Sequence, residues 1–210
     1  DLEDAPSDVQ FAYRAKAGLP LPFVEIRARR EDGELAAWDG VTMGELEVRG
    51  PWVAGAYYNS PESADRFTGD GWFCTGDIVS IDQRGCITIQ DRAKDLVKSG
   101  GEWISSVALE GALLSHPDVA EAVVVALPHP KWDERPVAVI VPRAGRTPTL
   151  ESVRAHLAPN FAKWWLPDDV ILVDSIPRSG VGKYLKNALR DRFRGHLATT
   201  QPGEKLEQRS

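Results

Sequence analysis

Apolar and polar positions alternate differently in the two halves of the chain. Between residues 22 and 90 short apolar segments recur among glycine-bearing turns. Pro22–Arg29, Gly44–Arg49, Ile78–Ile81 and Cys86–Gln90 predict strands. Glu31-Asp32-Gly33, Trp38-Asp39-Gly40, Gly69-Asp70-Gly71 and Asp82–Gly85 predict the turns between them. Such spacing predicts a small barrel or sandwich. The first twenty residues carry little apolar pattern, so this unit reads as the end of something larger. Beyond residue 91 the runs lengthen. Val119–Leu127, Arg135–Val141 and Asp169–Val173 predict central strands covered on both faces. Ser106–Ser115 predicts a helix that opens beside the N-cap residues Ser105 and Ser106 and stops before Pro117. Leu150–Leu157 predicts a second, with Val153 and Leu157 four apart. Tyr184–Phe193 predicts a third, with Leu185, Leu189 and Phe193 on one face. The fold class expected is therefore α+β. It comprises a β-rich unit over residues 1–91, a compact domain over 92–197 built on three strands with helices, and a disordered tail over 198–210.

Composition narrows the function classes. The chain has 210 residues, 42% hydrophobic and 27% charged, which is an ordinary soluble balance. Its apolar runs, such as Ala122–Pro128 and Pro136–Pro142, are too short to span a bilayer. Asp1–Gln10 is acidic and polar and does not read as a secretory leader. A net charge of −6 argues against a broad surface for nucleic acid or anionic lipid. Cys74 and Cys86 are too far apart for a CxxC pair, and the four histidines are scattered. No metal site is expected within the chain; reduced thiols in a cytoplasmic protein are.

Four segments could carry chemistry. In Trp72-Phe73-Cys74-Thr75-Gly76-Asp77, the carboxylate of Asp77 could face a vicinal diol such as a ribose, or could cap a turn. In Asp91-Arg92-Ala93-Lys94-Asp95, Arg92 could reach the same ribose or a phosphate, or the run could be a solvated charged face. In Ser99-Gly100-Gly101-Glu102-Trp103, two glycines permit close approach of a ligand to the backbone, and Trp103 could stack on a base or line a channel. The same residues could make a hairpin turn with a packing tryptophan. In Pro177-Arg178-Ser179-Gly180-Val181-Gly182-Lys183, a lysine ends a glycine-bearing loop, either as a mobile charge for a phosphate or as an exposed loop residue. A Walker phosphate loop is excluded, because Tyr184 stands where that motif needs a hydroxyl residue.

In this order and spacing the segments resemble the C-terminal part of the adenylate-forming enzymes, the superfamily of acyl-CoA synthetases, luciferases and peptide synthetases. GELEVRG at 44–50, GAYYN at 55–59, WFCTGDI at 72–78, DRAKDLVKSGGEWISSVALE at 91–110 and PRSGVGKYLKNALR at 177–190 follow the family's motifs in sequence. KSGGEWISS and LPHPKWDERP look most like medium- and long-chain fatty-acyl-CoA synthetases. The resemblance implies that residues 1–91 end the barrel subdomain of a large domain and that 92–197 are a mobile lid domain. Asp77 would hold the ribose of ATP or AMP, with Arg92 and Trp103 nearby. Lys94 would be the hinge and Lys183 the catalytic lysine of adenylation. Gly100 and Gly101 would border the CoA tunnel. The implied co-substrates are ATP with Mg2+, CoA and a fatty acid, the magnesium ligands lying upstream. The implied partner is the chain's own missing N-terminal domain. The expected activity is that of a fatty-acid–CoA ligase, with this segment alone inactive. A ligase serving a carrier protein and a non-catalytic lid module that binds nucleotide or a partner are the alternatives. Two departures stand out. Gly180 replaces a hydroxyl residue of the lysine loop and should loosen it, and Ala108 replaces an acidic residue, while Glu110 is kept.

Overall fold

A computed structural model describes residues 2–199. The chain divides into two compact units, with Lys94 the last residue of the first and Asp95 the first of the second.

The first unit opens with helix α1 (Ser7–Arg14) and continues as strands β1 (Glu25–Arg29), β2 (Gly44–Arg49), β3 (Phe73–Ile81) and β4 (Ile87–Arg92). Among the described residues these form one antiparallel sheet in chain order. It is an open meander with β1 and β4 at its edges, not the closed barrel or two-layer sandwich that the turn spacing predicts. β3 is longer than its apolar run because Gly76, at φ +76°, lets the chain turn and stay paired. Ala28, Ala36, Val79 and Ile81 form the core under one face. The buried carboxylate of Glu47 bonds Arg29 at 2.7 Å and Arg27, its cross-strand neighbour. Arg27 also bonds Asp70, and the Trp72 ring lies 4.2 and 4.5 Å from the Arg27 and Arg49 guanidinium carbons. No apolar stripe announces α1, and none of its residues is buried. The chain after it is tied down by Ala17 and Gly18, which bond Ile87, and by a Lys16–Asp82 ion pair of 2.5 Å.

The second unit starts with a hairpin of β5 (Val97–Ser99) and β6 (Glu102–Ile104), then α2 (Ser106–Leu113), β7 (Val119–His129), β8 (Asp133–Pro142), α3 (Leu150–Leu157), β9 (Asp169–Leu172), α4 (Lys186–Phe193) and α5 (His196–Thr199). Its sheet has five strands among the described residues, not the expected three. The extra two come from the glycine segment, which folds as a hairpin and joins β8 through Ser99 and Asp133. β7 and β8 pair antiparallel from Glu121–Val141 to His129–Asp133, and β9 runs parallel to β8. Side chains alternate across this ribbon. Ala122, Val124 and Ala126 join the core that contains α2 and α3. Val123, Val125 and Leu127 join the one that contains Leu189 of α4 and Leu197 of α5. Ser105 caps α2 by accepting from the Ala108 amide, and Thr149 and Ser152 form a capping box on α3. α4 starts at Lys186 because Tyr184 and Leu185 still pair with Arg178 and Pro177. Residues 198 and 199 finish α5 instead of opening a disordered tail; the rest of that expected tail, 200–210, lies outside the described residues. No described helix is long and apolar enough to cross a membrane.

The Asp82 carboxylate accepts from Lys16 and from the amides of Arg84 and Cys86. The Lys16 bond, with smaller help from the amides, lowers its pKa to about 2. An unfolded Asp titrates near ~3.9, so this attachment should be fully present above about pH 4 and lost as pH falls toward about 2. Acid unfolding of Asp82→Asn should show a smaller loss of stability across that window than the parent chain.

Candidate active site

Asp77 and Arg92 stand directly opposite each other on β3 and β4, with Arg92 Nε 3.0 Å from Asp77 Oδ1. The hydroxyl of Thr75 accepts from the Asp77 amide and donates to the Leu46 carbonyl, so Thr75 closes the local turn. Asp91, buried beneath, accepts from the Arg92 amide at 2.7 Å. The result is a carboxylate held beside an exposed guanidinium at a sheet edge. Carboxylate oxygens can accept from both hydroxyls of a diol, and the guanidinium can meet an anion.

The joint is short. The Ala93 amide bonds the Gly76 carbonyl at 2.9 Å within the first unit. Asp95 pairs with Arg190 of α4 at 2.5 Å within the second. Lys94, exposed and in a turn, is the residue between these two anchors.

Gly100 and Gly101 form the two-residue turn of the β5–β6 hairpin, at φ +60° and +85°. Both central residues of this turn type need positive φ. Trp103 sits on β6 opposite Lys98, whose ammonium is 6.0 Å from the ring centre. The hairpin reading therefore describes the segment's structure. What the sequence does not reveal is its support. The Gly100 amide bonds the Trp132 carbonyl at 2.9 Å, and the indole lies so near that a Cβ on Gly100 would stand 3.0 Å from it. The Lys98 amide bonds Glu134 at 2.9 Å. Arg135, almost fully buried, bonds both oxygens of Asp168, the Ser99 hydroxyl and the carbonyls of Trp164 and Leu166. A cavity of about 750 Å3 opens here, with Gly100, Trp132, Trp164, Lys163, Arg154 and Arg135 in its wall. Glu102 and Asp168 also line it, and Asp168 is ion-paired with Arg135 and Arg154, so the wall combines aromatic faces with charges of both signs. Trp132 and Arg135 lie over thirty positions from the glycines, and no local pattern joins them.

Lys183 ends a second hairpin. The Ser179 amide bonds the Lys183 carbonyl at 2.8 Å, the Gly182 amide bonds the Ser179 carbonyl at 2.8 Å, and the Leu185 amide bonds the Pro177 carbonyl at 2.9 Å. Gly182 adopts φ +82°, whereas Gly180 has an ordinary φ and open space around it. Gly182 therefore shapes this loop, whereas no positive φ requires a glycine at 180. The Lys183 ammonium is exposed and has no partner among the described residues.

The two hairpins flank the same ribbon. The glycine turn meets β8 at Asp133, while the lysine hairpin bonds Glu121 on β7, opposite Val141. From Asp133 to Val141 an extended strand covers roughly 26 Å. One compact substrate centre cannot touch both. Among the described residues no group of three or more His, Cys, Asp or Glu could hold a metal ion.

These features coincide with a known architecture. Residues 108–183 match the AMP-binding enzyme C-terminal domain family. The chain is 49% identical over 93% of its length to a long-chain-fatty-acid–CoA ligase of Thermus thermophilus, covering 36% of that protein. It is 44% identical over 91% of its length to a 3-methylmercaptopropionyl-CoA ligase of Ruegeria pomeroyi, covering 35% of it. Its fold superposes on the crystal structure of ATP-bound MatB from Rhodopseudomonas palustris with a TM-score of 0.75 and 34% identity, covering 87% of this chain and 36% of that one. Residues 108–183 thus carry the AMP-binding enzyme C-terminal domain, and most of the chain is similar to part of these CoA ligases. It spans about a third of the length of the curated relatives it matches.

An alanine at Gly100 or Gly101 would place a side chain in the left-handed region, at a cost of about 1–2 kcal/mol. Gly100→Ala must also displace the Trp132 indole. Denaturant unfolding should therefore rank Gly100→Ala below Gly101→Ala, and tryptophan emission of the folded protein should change for Gly100→Ala alone.

Proposed function

We propose that the chain is the C-terminal portion of a fatty-acid–CoA ligase, which converts a fatty acid, ATP and CoA into acyl-CoA, AMP and pyrophosphate. One observation carries the reading: Lys183 and the Gly100–Gly101 turn are fixed at opposite ends of one rigid ribbon, behind a joint of a single free residue. A two-step reaction with two different needs suits that arrangement.

In the first step the fatty carboxylate attacks the α-phosphorus of ATP, and pyrophosphate leaves. Asp77, oriented by Arg92, accepts from the ribose hydroxyls. Lys183 supplies positive charge where negative charge builds on the transferring phosphoryl group. Mg2+ accompanies ATP as part of the substrate, and its ligands belong to the upstream part of the complete protein. In the second step the CoA thiol attacks the acyl carbon, and AMP leaves. A lysine is not needed on the phosphate there. Turning about Lys94 withdraws it and presents the other end of the ribbon, where Gly100 and Gly101 offer a smooth backbone to the pantetheine arm. The cavity beside Trp132 has the size and lining for the nucleotide of CoA. Such a change at an element boundary is a familiar way to gate successive steps. The resemblance of the glycine segment to CoA-using relatives favours CoA over a carrier protein as acceptor. The free thiols of Cys74 and Cys86 fit a cytoplasmic setting.

In the complete protein, Lys183→Ala should slow pyrophosphate release from ATP and fatty acid by about 100- to 1000-fold. Thioester formation from supplied acyl-adenylate should stay within a few-fold of normal. Equal loss in both half-reactions would refute the division of labour. The 210-residue chain by itself should release no pyrophosphate in the same assay; turnover by it would overturn the assignment as a partial enzyme.

A further inference from the structure

We infer that Glu121, Arg178 and Tyr184 form a latch that fixes the Lys183 hairpin on the sheet, and that all three are positioning residues for the phosphoryl-transfer step. The inference rests on the reading of Lys183 just given. Arg178 and Tyr184 face each other across the neck of the hairpin. One guanidinium makes three ties. Its Nη1 donates to the Gly182 carbonyl inside the loop at 3.1 Å. Its Nη2 donates to the Tyr184 hydroxyl at 2.9 Å and to Glu121 Oε2, on β7, at 2.9 Å. The Tyr184 hydroxyl donates to the same Glu121 oxygen at 3.2 Å, and its ring lies 4.2 Å from the guanidinium carbon. Burial pushes the Tyr184 phenol up, so it stays protonated and able to donate.

The backbone bonds of the hairpin give it a shape but not a bearing. Its tip is exposed and contains Gly180 and Gly182, with nothing within 4 Å of a Cβ placed on either. Without the latch the tip pivots on its neck, and the Lys183 Cα moves with it. A catalytic charge misplaced by about 1 Å can cost on the order of 100-fold in rate. The fork of Arg178 reaches the loop carbonyl, the phenol and the sheet carboxylate at once. A lysine there is a point charge on a flexible stem and cannot hold all three. Glu121 is the sole member outside the hairpin, so it sets the bearing relative to β7.

Two measurements test this. In the 210-residue chain, amide hydrogen exchange at Ser179, Gly182 and Lys183 should quicken about tenfold in Glu121→Gln and in Arg178→Lys, with the amides of Val124 and Val139 unchanged. Unchanged exchange at the hairpin, or equal acceleration in the ribbon, would overturn the latch. In the complete protein, Arg178→Lys and Tyr184→Phe should lower the adenylation kcat about ten- to a hundred-fold. KM for ATP and thioester formation from supplied acyl-adenylate should hold within about threefold. Parallel loss of both half-reactions, or adenylation within twofold of normal, would also overturn it. Lys183→Ala run beside these variants separates the two ideas. If it spares adenylation, the role given to Lys183 fails, and hydrogen exchange alone decides whether the latch exists.

Discussion

Burial of the β7–β8 ribbon on both faces is the constraint from which the second unit follows. Alternate residues of two long strands point into two separate apolar cores, and nearly all are completely shielded from water. Each buried Val, Leu or Ile among them contributes about 1.5–3 kcal/mol when removed from water. A sheet apolar on both sides has to be covered on both sides, so α2 and α3 take one face while α4 and α5 take the other. A ribbon packed this tightly bends little. Its ends are therefore fixed points, and the chain hangs one working hairpin on each.

Polar ties then distinguish two neighbouring lysines. Lys186 opens α4 and is bound 2.7 Å from both Glu110 and the Ser106 hydroxyl, with little exposure. Glu110 in turn accepts from the Val124 amide in the ribbon. Lys183, three positions earlier, has no such partner among the described residues. The same side chain is thus a structural bolt in one place and a spare charge in the other. Retention of Glu110 where Ala108 departs from the family pattern makes sense in these terms. Glu110 holds α2, α4 and β7 together, whereas position 108 offers only its amide to the Ser105 cap.

The elements legible in the sequence are those whose pattern is local. β7, β8 and α3 announce themselves by long apolar runs or by i, i+4 spacing, and they appear within two residues of where the pattern puts them. The β5–β6 hairpin is hidden because its strands are three residues each and the glycines between them read equally as a loop. α1 is hidden because it buries nothing, and so needs no apolar stripe. The candidate site divides in the same way. Asp77, Arg92, Gly100, Gly101, Trp103 and Lys183 stand in contiguous motifs. Trp132, Arg135 and Glu121 act on those motifs across the sheet, and their pairing with Gly100, Ser99 and Arg178 exists only once β8 and β7 have folded.

The proposed hinge at Lys94 lies between two anchored residues. Ala93 is held by Gly76 and Asp95 by Arg190, so the proposed rotation would fall on the backbone dihedrals at and beside Lys94. The Lys94 side chain is exposed and packs into neither core. Asp95 is tied to α4 by its ion pair, and α4 follows directly on the Lys183 hairpin. In the proposed mechanism, a turn at position 94 would thus reach the Lys183 hairpin through bonded and ion-paired groups.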